Sequence, residues 1–369
     1  MKSTKFIAVL GTGALALGVA ACGSSSSSTT DTGAGASSSA PDVTATLNGA
    51  GSTFAAPIYQ QVASALKNNG LTVNYQGVGS GDGVAQLQSG TADFAGSDPA
   101  LAPEDKQKMK VAPVQIPIAL GAITMSYNLS GQQAGIKLDG ATIGDIYLGK
   151  VKRWDDPAIA RLNSGLKLPG TDITVVHRSD SSGTTKGFTQ FVANYSPAWK
   201  SGPGVDKDIK WPTGTGAKGN DGVAAAVKQT DGAIGYVEQA YALQNKFTFA
   251  DVQNKGGTFV APTLESTSAA AEGIDVPADL GISTIDSPNP KAYPIVSQTF
   301  LDFPTDPCKA GGKEDVAKGL VAFATYLLGP EGQGTIKQLS YAPLPADLVT
   351  KGTAALKTVT CDGKALGGA

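Results

Sequence analysis

The sequence predicts an α/β fold with mostly parallel sheets, and three observations carry that prediction. Short β-branched or alternating apolar runs take turns with segments of helical period along the chain, the pattern of strand–helix–strand units. Three strand-to-helix junctions, at 51–54, 79–83 and 181–185, are built from Ser, Thr and Gly. The composition, 41% hydrophobic and 16% charged over 369 residues, suits a soluble globular protein of one to three domains.

The elements follow in order. After Leu47 to Phe54 a helix is predicted, with Ile58, Val62 and Leu66 on one face and Pro57 in its first turn, where proline is tolerated. Leu71 to Gln76 alternates as a strand, and Gly77 to Gly83 leads from it into a short helix carrying Val84 and Leu87. Thr91 to Ser97 is a further strand, ending at Asp98-Pro99. Ala122 to Asn128 reads as a strand, Ile143, Ile146 and Tyr147 mark a helix, and Trp154-Asp-Asp-Pro157 opens another. The most informative stretch is Ile173 to Phe188, ITVVHRSDSSGTTKGF: a short buried strand, a turn-rich loop, then Phe188, Phe191, Val192 and Tyr195 on one helical face. Asp221 to Val227 reads as helix and Ala233 to Val237 as buried strand. Residues 245 to 290 are polar and irregular, consistent with a hairpin and a surface loop. Tyr293 to Phe300 is a strand, and Val316, Leu320, Phe323 and Leu327 mark a long C-terminal helix.

A strand feeding a helix through Ser, Gly and Thr leaves unpaired backbone N–H groups at the positive end of the helix dipole, which is an anion site. Ligands in such sheets gather at the carboxyl ends of the strands. Three helix starts of the same chemistry can therefore converge on one anion, with Arg178 offering a planar fork suited to a tetrahedral oxyanion. The alternative for any single junction is an ordinary capped helix with a surface arginine.

The N-terminus is a leader. Lys2 and Lys5 precede an uncharged, largely apolar run from Phe6 to Ala21, so residues 1–21 read as a secretory signal peptide. Val19-Ala-Ala-Cys22 looks like a bacterial lipobox, which predicts lipidation of Cys22; an ordinary signal peptide with an incidental Cys is the alternative. Residues 22–42 form a flexible tether, nearly all Ser, Thr, Gly and Ala from Gly23 to Ser39. Loss of Lys2 and Lys5 takes the formal net charge from −2 to −4, and with no basic excess a nucleic-acid partner is not expected. Any anion must be held by local dipoles and one or two cations. Cys308 and Cys361 can pair in an oxidising compartment or remain free thiols; pairing would close a loop worth about 4 kcal/mol in the chain-entropy model.

Four motifs in order, Gly49-Ala-Gly-Ser-Thr-Phe54, Tyr75-Gln-Gly-Val-Gly-Ser80, Phe94-Ala-Gly-Ser-Asp98 and Arg178-Ser-Asp-Ser-Ser-Gly-Thr184, resemble the ligand-binding motifs of the PstS family, the phosphate-binding proteins of the bacterial high-affinity phosphate ABC transporter. The segments 144–154 and 211–222, the latter ending in Gly219-Asn-Asp-Gly222, look like further family signatures outside the site. The match runs from about Leu47 to Leu344. It implies a two-lobed periplasmic-binding-protein-like fold with a cleft between lobes, the first lobe at 43–119 and 295–369, the second at 120–294. It also implies a phosphate site of Thr53, Phe54, Ser80, Asp98, Arg178, Ser182, Gly183 and Thr184, with Asp180 orienting the arginine. The expected role is extracytoplasmic capture of inorganic phosphate and delivery to the transporter permease, by a lipid-anchored monomer with no cofactor, no metal and no enzymatic activity. Three positions depart from the family pattern: Ser181 stands where Gly is frequent, His177 where Arg is common, and Ala55 replaces a frequent Pro. Of these, Ser181 is the one that could alter the loop.

Rival classes are a lipid-anchored phosphatase or Ser hydrolase, and a structural surface protein. The chain has one histidine, His177, placed in a strand, so a Ser-His-Asp triad would have to use it. There is no G-x-S-x-G elbow and no His/Cys cluster for a catalytic zinc. Gly214-Thr-Gly-Ala-Lys-Gly219 satisfies G-x-G-x-x-G but follows Trp-Pro-Thr, which argues against a dinucleotide site. A structural surface protein leaves the four motifs unexplained.

Overall fold

The computed structural model describes residues 43–132 and 135–366. The predicted signal peptide at 1–21, the predicted lipidation site Cys22 and the predicted tether to residue 42 lie outside the described residues. Strand β1 (Ala45–Gly51) leads to helix α1 (Ala56–Leu66), then β2 (Leu71–Gly77), α2 (Ser80–Ser89), β3 (Phe94–Ser97) and the single turn α3 (Pro103–Gln107). Next come β4 (Pro113–Asn128), β5 (Lys137–Leu138), α4 (Gly140–Tyr147) and α5 (Pro157–Ala160). The central unit follows: β6 (Thr174–Arg178), α6 (Gly183–Tyr195), α7 (Pro197–Ser201), β7 (Thr215–Ala217), α8 (Gly219–Gln229), β8 (Ala233–Glu238) and α9 (Gln239–Gln244). The polar region holds β9 (Thr248–Phe249), β10 (Asp251–Gln253), β11 (Phe259–Val260) and α10 (Leu264–Ala269). The chain closes with β12 (Val296–Pro304), α11 (Glu314–Leu328), α12 (Pro330–Gln338), α13 (Ala346–Leu356), β13 (Thr360–Cys361) and β14 (Lys364–Ala365).

The main sheet runs β2-β1-β3-β12-β4-β8-β6-β7, with β9 also on β4. Its outer pairs are parallel (β1 with β2 and β3, β6 with β7 and β8), as the strand–helix alternation predicts. The middle is not: β12 runs antiparallel to β3 and β4, and β4 antiparallel to β8. The expected mostly parallel sheet is therefore a mixed one, because β4 and β12 pass between two parallel halves. These halves are the two lobes, and a ligand cleft forms where their strand ends face each other.

Most boundaries hold within a few residues, and the departures have causes. Strand β4 starts nine residues before the predicted Ala122, since Pro113 and Pro117 read as interruptions. Pro113 begins the strand, where proline is allowed, and Pro117 pairs with Phe300 at the bulge where the β4–β12 register shifts. The helix opened by Trp154 is one turn only, capped by Asp156, whose carboxylate accepts from the Ala158 amide at 2.8 Å. Strand β12 begins at Val296, later than the predicted Tyr293, whose buried ring instead sends its hydroxyl to the Ile123 carbonyl at 2.9 Å. The polar region contains the expected hairpin, β10 with β11. Helices α12 and α13 are not among the predicted elements; α13 buries Leu348, Gly352 and Leu356 on one face. Ile58, Val62, Leu66, Leu320, Phe323 and Leu327 are all buried in one core that runs through both lobes.

Cys308 and Cys361 form a disulfide that ties the β12–α11 connection to the C-terminal hairpin. Asp306 braces the same place, accepting from the Lys309, Asp362 and Gly363 amides and the Thr360 hydroxyl. With the cysteines separated by 53 positions, the chain-entropy model assigns the crosslink about 4 kcal/mol. Cys308→Ser with Cys361→Ser is therefore expected to lower the urea unfolding free energy by about 4 kcal/mol. A loss well under 1 kcal/mol would show that the bridge constrains nothing in the unfolded chain.

Candidate functional site

The site grows from the end of β6. Arg178 is its last residue, and the Arg178 amide donates to the Tyr236 hydroxyl at 3.0 Å, while Thr185 Oγ1 lies 2.7 Å from the same hydroxyl. Tyr236 stacks on Phe188 of α6 with centroids 4.4 Å apart, and Tyr147 and Trp211 pack around them. The strand end and the helix start are thus fixed by one aromatic cluster. Ser182 is the N-cap of α6, its hydroxyl accepting from the Thr185 amide at 3.0 Å.

Arg178 is buried and points one edge of its guanidinium at Asp180. Nε donates to Oδ1 at 2.7 Å, and Nη2 makes a very short contact with Oδ2. The other edge donates from Nη1 to Thr184 Oγ1 at 3.2 Å. Asp180 also accepts from the Gly219 amide at 3.0 Å. Burial works upward on the Asp180 carboxyl, but the Arg178 hydrogen bonds and charge and the Gly219 amide carry it below the usual carboxylate range.

The opposite lobe supplies the rest. Ser80 opens α2, and its hydroxyl accepts from the Asp98 amide at 3.3 Å and lies 3.4 Å from Asp98 Oδ2. Asp98 follows β3, and its Oδ1 accepts from Thr299 Oγ1 at 3.2 Å. Thr53 and Phe54 lie between β1 and α1. Tyr341 donates to the Phe54 carbonyl at 2.6 Å and Tyr241 to the Thr53 carbonyl at 2.7 Å. The lobes touch at Gly183: a Cβ there would come within 2.6 Å of the Asp98 carbonyl carbon, and nearer still to its oxygen, so only glycine fits. All eight candidate anion residues are buried and gathered at this one junction.

One residue outside the predicted set reaches the candidate site. Asn220, in the signature placed outside the site, donates from its amide to Thr53 Oγ1 at 3.1 Å and from Nδ2 to Thr53 Oγ1 at 3.0 Å and Thr184 Oγ1 at 3.3 Å. It is fully buried and joins the two lobes at the candidate anion residues. Helix α8, which it opens, is a fourth helix start at the junction. The Gly-Asn-Asp-Gly pattern was the available signal; only the partner, 167 residues away, was invisible. The departures at 177 and 181 are accommodated. His177 stacks on Trp211 at 4.4 Å and is held by the Arg178 carbonyl, and burial lowers its pKa. Ser181 leaves the α6 cap intact.

The fixed charges are one guanidinium and two carboxylates, Asp180 and Asp98. Attraction for an anion must therefore come from oriented amides and hydroxyls at the helix starts. Burial pushes the Asp98 carboxyl up to about 6, against the pull of the Ser52 and Thr299 hydrogen bonds, the Arg178 charge and Ser80. Behind it, burial pushes Asp302 up to about 7, with Ser97 donating to its Oδ2 at 2.5 Å.

Comparison with known proteins is decisive for the family. A PBP superfamily domain matches residues 27–331. The phosphate-binding protein PstS of Pasteurella multocida is 40% identical over 327 residues, covering 87% of this chain and 93% of its own. The chain belongs to the PstS family of phosphate-binding proteins. PstS of Methanocaldococcus jannaschii is 33% identical over 310 residues, 78% of this chain and 79% of its own. Among solved structures, a high-affinity periplasmic phosphate-binding protein (PfluDING) bound with phosphate superposes with a TM-score of 0.69 at 23% identity, covering 84% of this chain and 93% of that one. The two-lobed α/β fold is thus shared by the PstS family chain and its structural neighbour.

Because Asp98 is raised in the folded protein, the native state holds its proton when the unfolded chain has already lost it. Stability should then fall as pH rises from about 4 to about 6, by roughly 3 kcal/mol for this group. Asp302 acts with the same sign, so the readout is the difference between wild type and Asp98→Asn in urea unfolding of ligand-free protein at each pH. Across this window wild type should lose that stability relative to Asp98→Asn; parallel curves would mean Asp98 titrates normally.

Proposed function

We propose that this chain binds one inorganic phosphate between its lobes, outside the cytoplasm, and delivers it to the permease of an ABC importer. The observation that supports it most is the meeting of Arg178, held in a fork by Asp180, with four helix starts at one buried junction between the lobes. Thr53, Phe54, Ser80, Asp98, Arg178, Ser182, Gly183 and Thr184 hold the phosphate, and Asn220 aligns Thr53 with Thr184. The lobes comprise 43–119 with 295–369, and 120–294, and they close on the ligand by bending where β4 and β12 pass between them. In this reading the protein binds without chemistry: its only histidine is engaged with Trp211 and a backbone carbonyl and is not offered to a Ser-His-Asp triad.

We further propose that the mature protein is a monomer anchored by lipid at Cys22 after removal of residues 1–21. Among the described residues no helix is long and apolar enough to cross a membrane. Labelled fatty acid should enter the wild-type protein in cells and not Cys22→Ala; equal labelling would remove this anchor.

Asp98 carries the choice of anion. A carboxylate facing an anion is costly unless the ligand brings a proton. Phosphate near neutral pH keeps at least one P–OH, which an ionised Asp98 accepts in a charge-assisted hydrogen bond. Sulfate has no such proton, so its oxygen would oppose the Asp98 oxygen in a desolvated site. In calorimetry of phosphate-stripped protein at neutral pH, phosphate should bind, arsenate should compete, and sulfate should give no heat. Asp98→Asn presents a donor in the same shape and should admit sulfate. Wild-type protein that takes no phosphate would defeat the functional reading; an Asn variant that still excludes sulfate would move discrimination elsewhere.

A further inference from the structure

We infer that Ser181 and Gly81 form a clasp across the cleft mouth that governs how long the bound anion stays, an inference that rests on the phosphate reading above. Ser181 lies in the loop between β6 and α6, on the lobe that carries Arg178. Gly81 lies in the first turn of α2, on the lobe that carries Asp98. The Gly81 amide donates to the Ser181 carbonyl at 3.0 Å. That amide belongs to a helix start otherwise aimed at the anion, so α2 commits one donor to the other lobe and not to the ligand.

The side chains match this bond. A Cβ built on Gly81 would lie 2.5 Å from Ser181 Cβ and nearer still to Ser181 Oγ. Rotating the hydroxyl away relieves only one of these overlaps, because the Cβ cannot move without the loop. The Ser181 carbonyl oxygen would be 3.5 Å away, an ordinary contact. The serine side chain therefore occupies the hollow that the missing Gly81 side chain leaves. Next to it, a Cβ on Gly79 would meet the same carbonyl at 2.6 Å and Asp180 Oδ2 at 2.7 Å, so the contact abuts the carboxylate that holds Arg178. Closing the clasp and seating the arginine are one motion.

Nothing in the local backbone requires glycine at 81. The residue sits inside a helix, and its φ is not left-handed. Alanine is the better helix former there, so Gly81→Ala should leave the stability of the ligand-free fold unchanged or slightly raised. Any loss of binding must then come from the meeting with Ser181. The contact joins two lobes that must part before a bound anion can leave, so its effect falls on release.

The test is a cycle of four proteins: wild type, Gly81→Ala, Ser181→Gly, and the double variant. Release of radiolabelled inorganic phosphate is followed by chase with excess unlabelled phosphate. Gly81→Ala should release about tenfold faster or more, the effect of one overpacked contact, with association changed by no more than about threefold. Ser181→Gly keeps the carbonyl and should release within about threefold of wild type, and the double variant should return to the Ser181→Gly rate, since the obstructing side chain is gone. Gly81→Ala with the wild-type release rate, or a double variant as fast as Gly81→Ala alone, would overturn the clasp while leaving the phosphate reading in place. If wild type binds no phosphate, the functional reading fails and the clasp is judged by small-angle scattering of the four ligand-free proteins. An expanded Gly81→Ala that contracts again in the double variant supports it; four equal radii overturn it.

Discussion

The structure depends on a buried arginine that has nearly spent its charge. Arg178 must be dry to act on an anion with a strong field, yet a dry guanidinium is tolerable only with a carboxylate against it. Asp180 supplies that carboxylate and fixes the fork, and it draws in the Gly219 amide as well. Once the pair is neutral overall, the remaining pull on a ligand has to come from aligned backbone dipoles. That is why the junction is made of helix starts, and why these are rich in Ser, Thr and Gly.

Dipoles work only at close range, so the backbones must come close. Gly183 against Asp98 and Gly81 against Ser181 are the places where main chain meets main chain across the cleft. The hydroxyls of Thr53 and Thr184 are brought into line by one amide side chain, Asn220. Asp98 then introduces a second negative charge into the candidate anion site, and the helix starts and Arg178 allow it to remain there. Lys207 joins the same economy from the rim: its carbonyl accepts from the Ser182 amide at 3.1 Å, and its ammonium crosses to Asp105 at 2.9 Å.

What could be read from the sequence was what is local. The strand, loop and helix around Arg178 occupy one continuous stretch whose periodicity changes at the loop, so that unit and its cap were legible. The four motifs were legible for the same reason, each being a few adjacent residues. Asn220 was not, because its meaning lies in two hydroxyls contributed by distant segments. The direction of the middle strands was not, because a strand's own residues do not say which neighbour it will pair with. Pro117 concealed the first half of β4, since its compatibility with a central strand depends on the bulge beside it, where Ile118 is passed over in the pairing with β12.

Strand β4 has a consequence for how the molecule can be taken apart. Its 16 residues pair with β12 toward one lobe and with β8 and β9 toward the other. No cut through the chain gives each lobe a finished border. A fragment that keeps β4 carries an unpaired, almost wholly buried edge into water, and a fragment without it exposes β12 or β8 in the same way; both are templates for aggregation. The two lobes are therefore separate as shapes and inseparable as folding units, and a biosensor built by splitting this protein would have to be divided at a surface loop within one lobe.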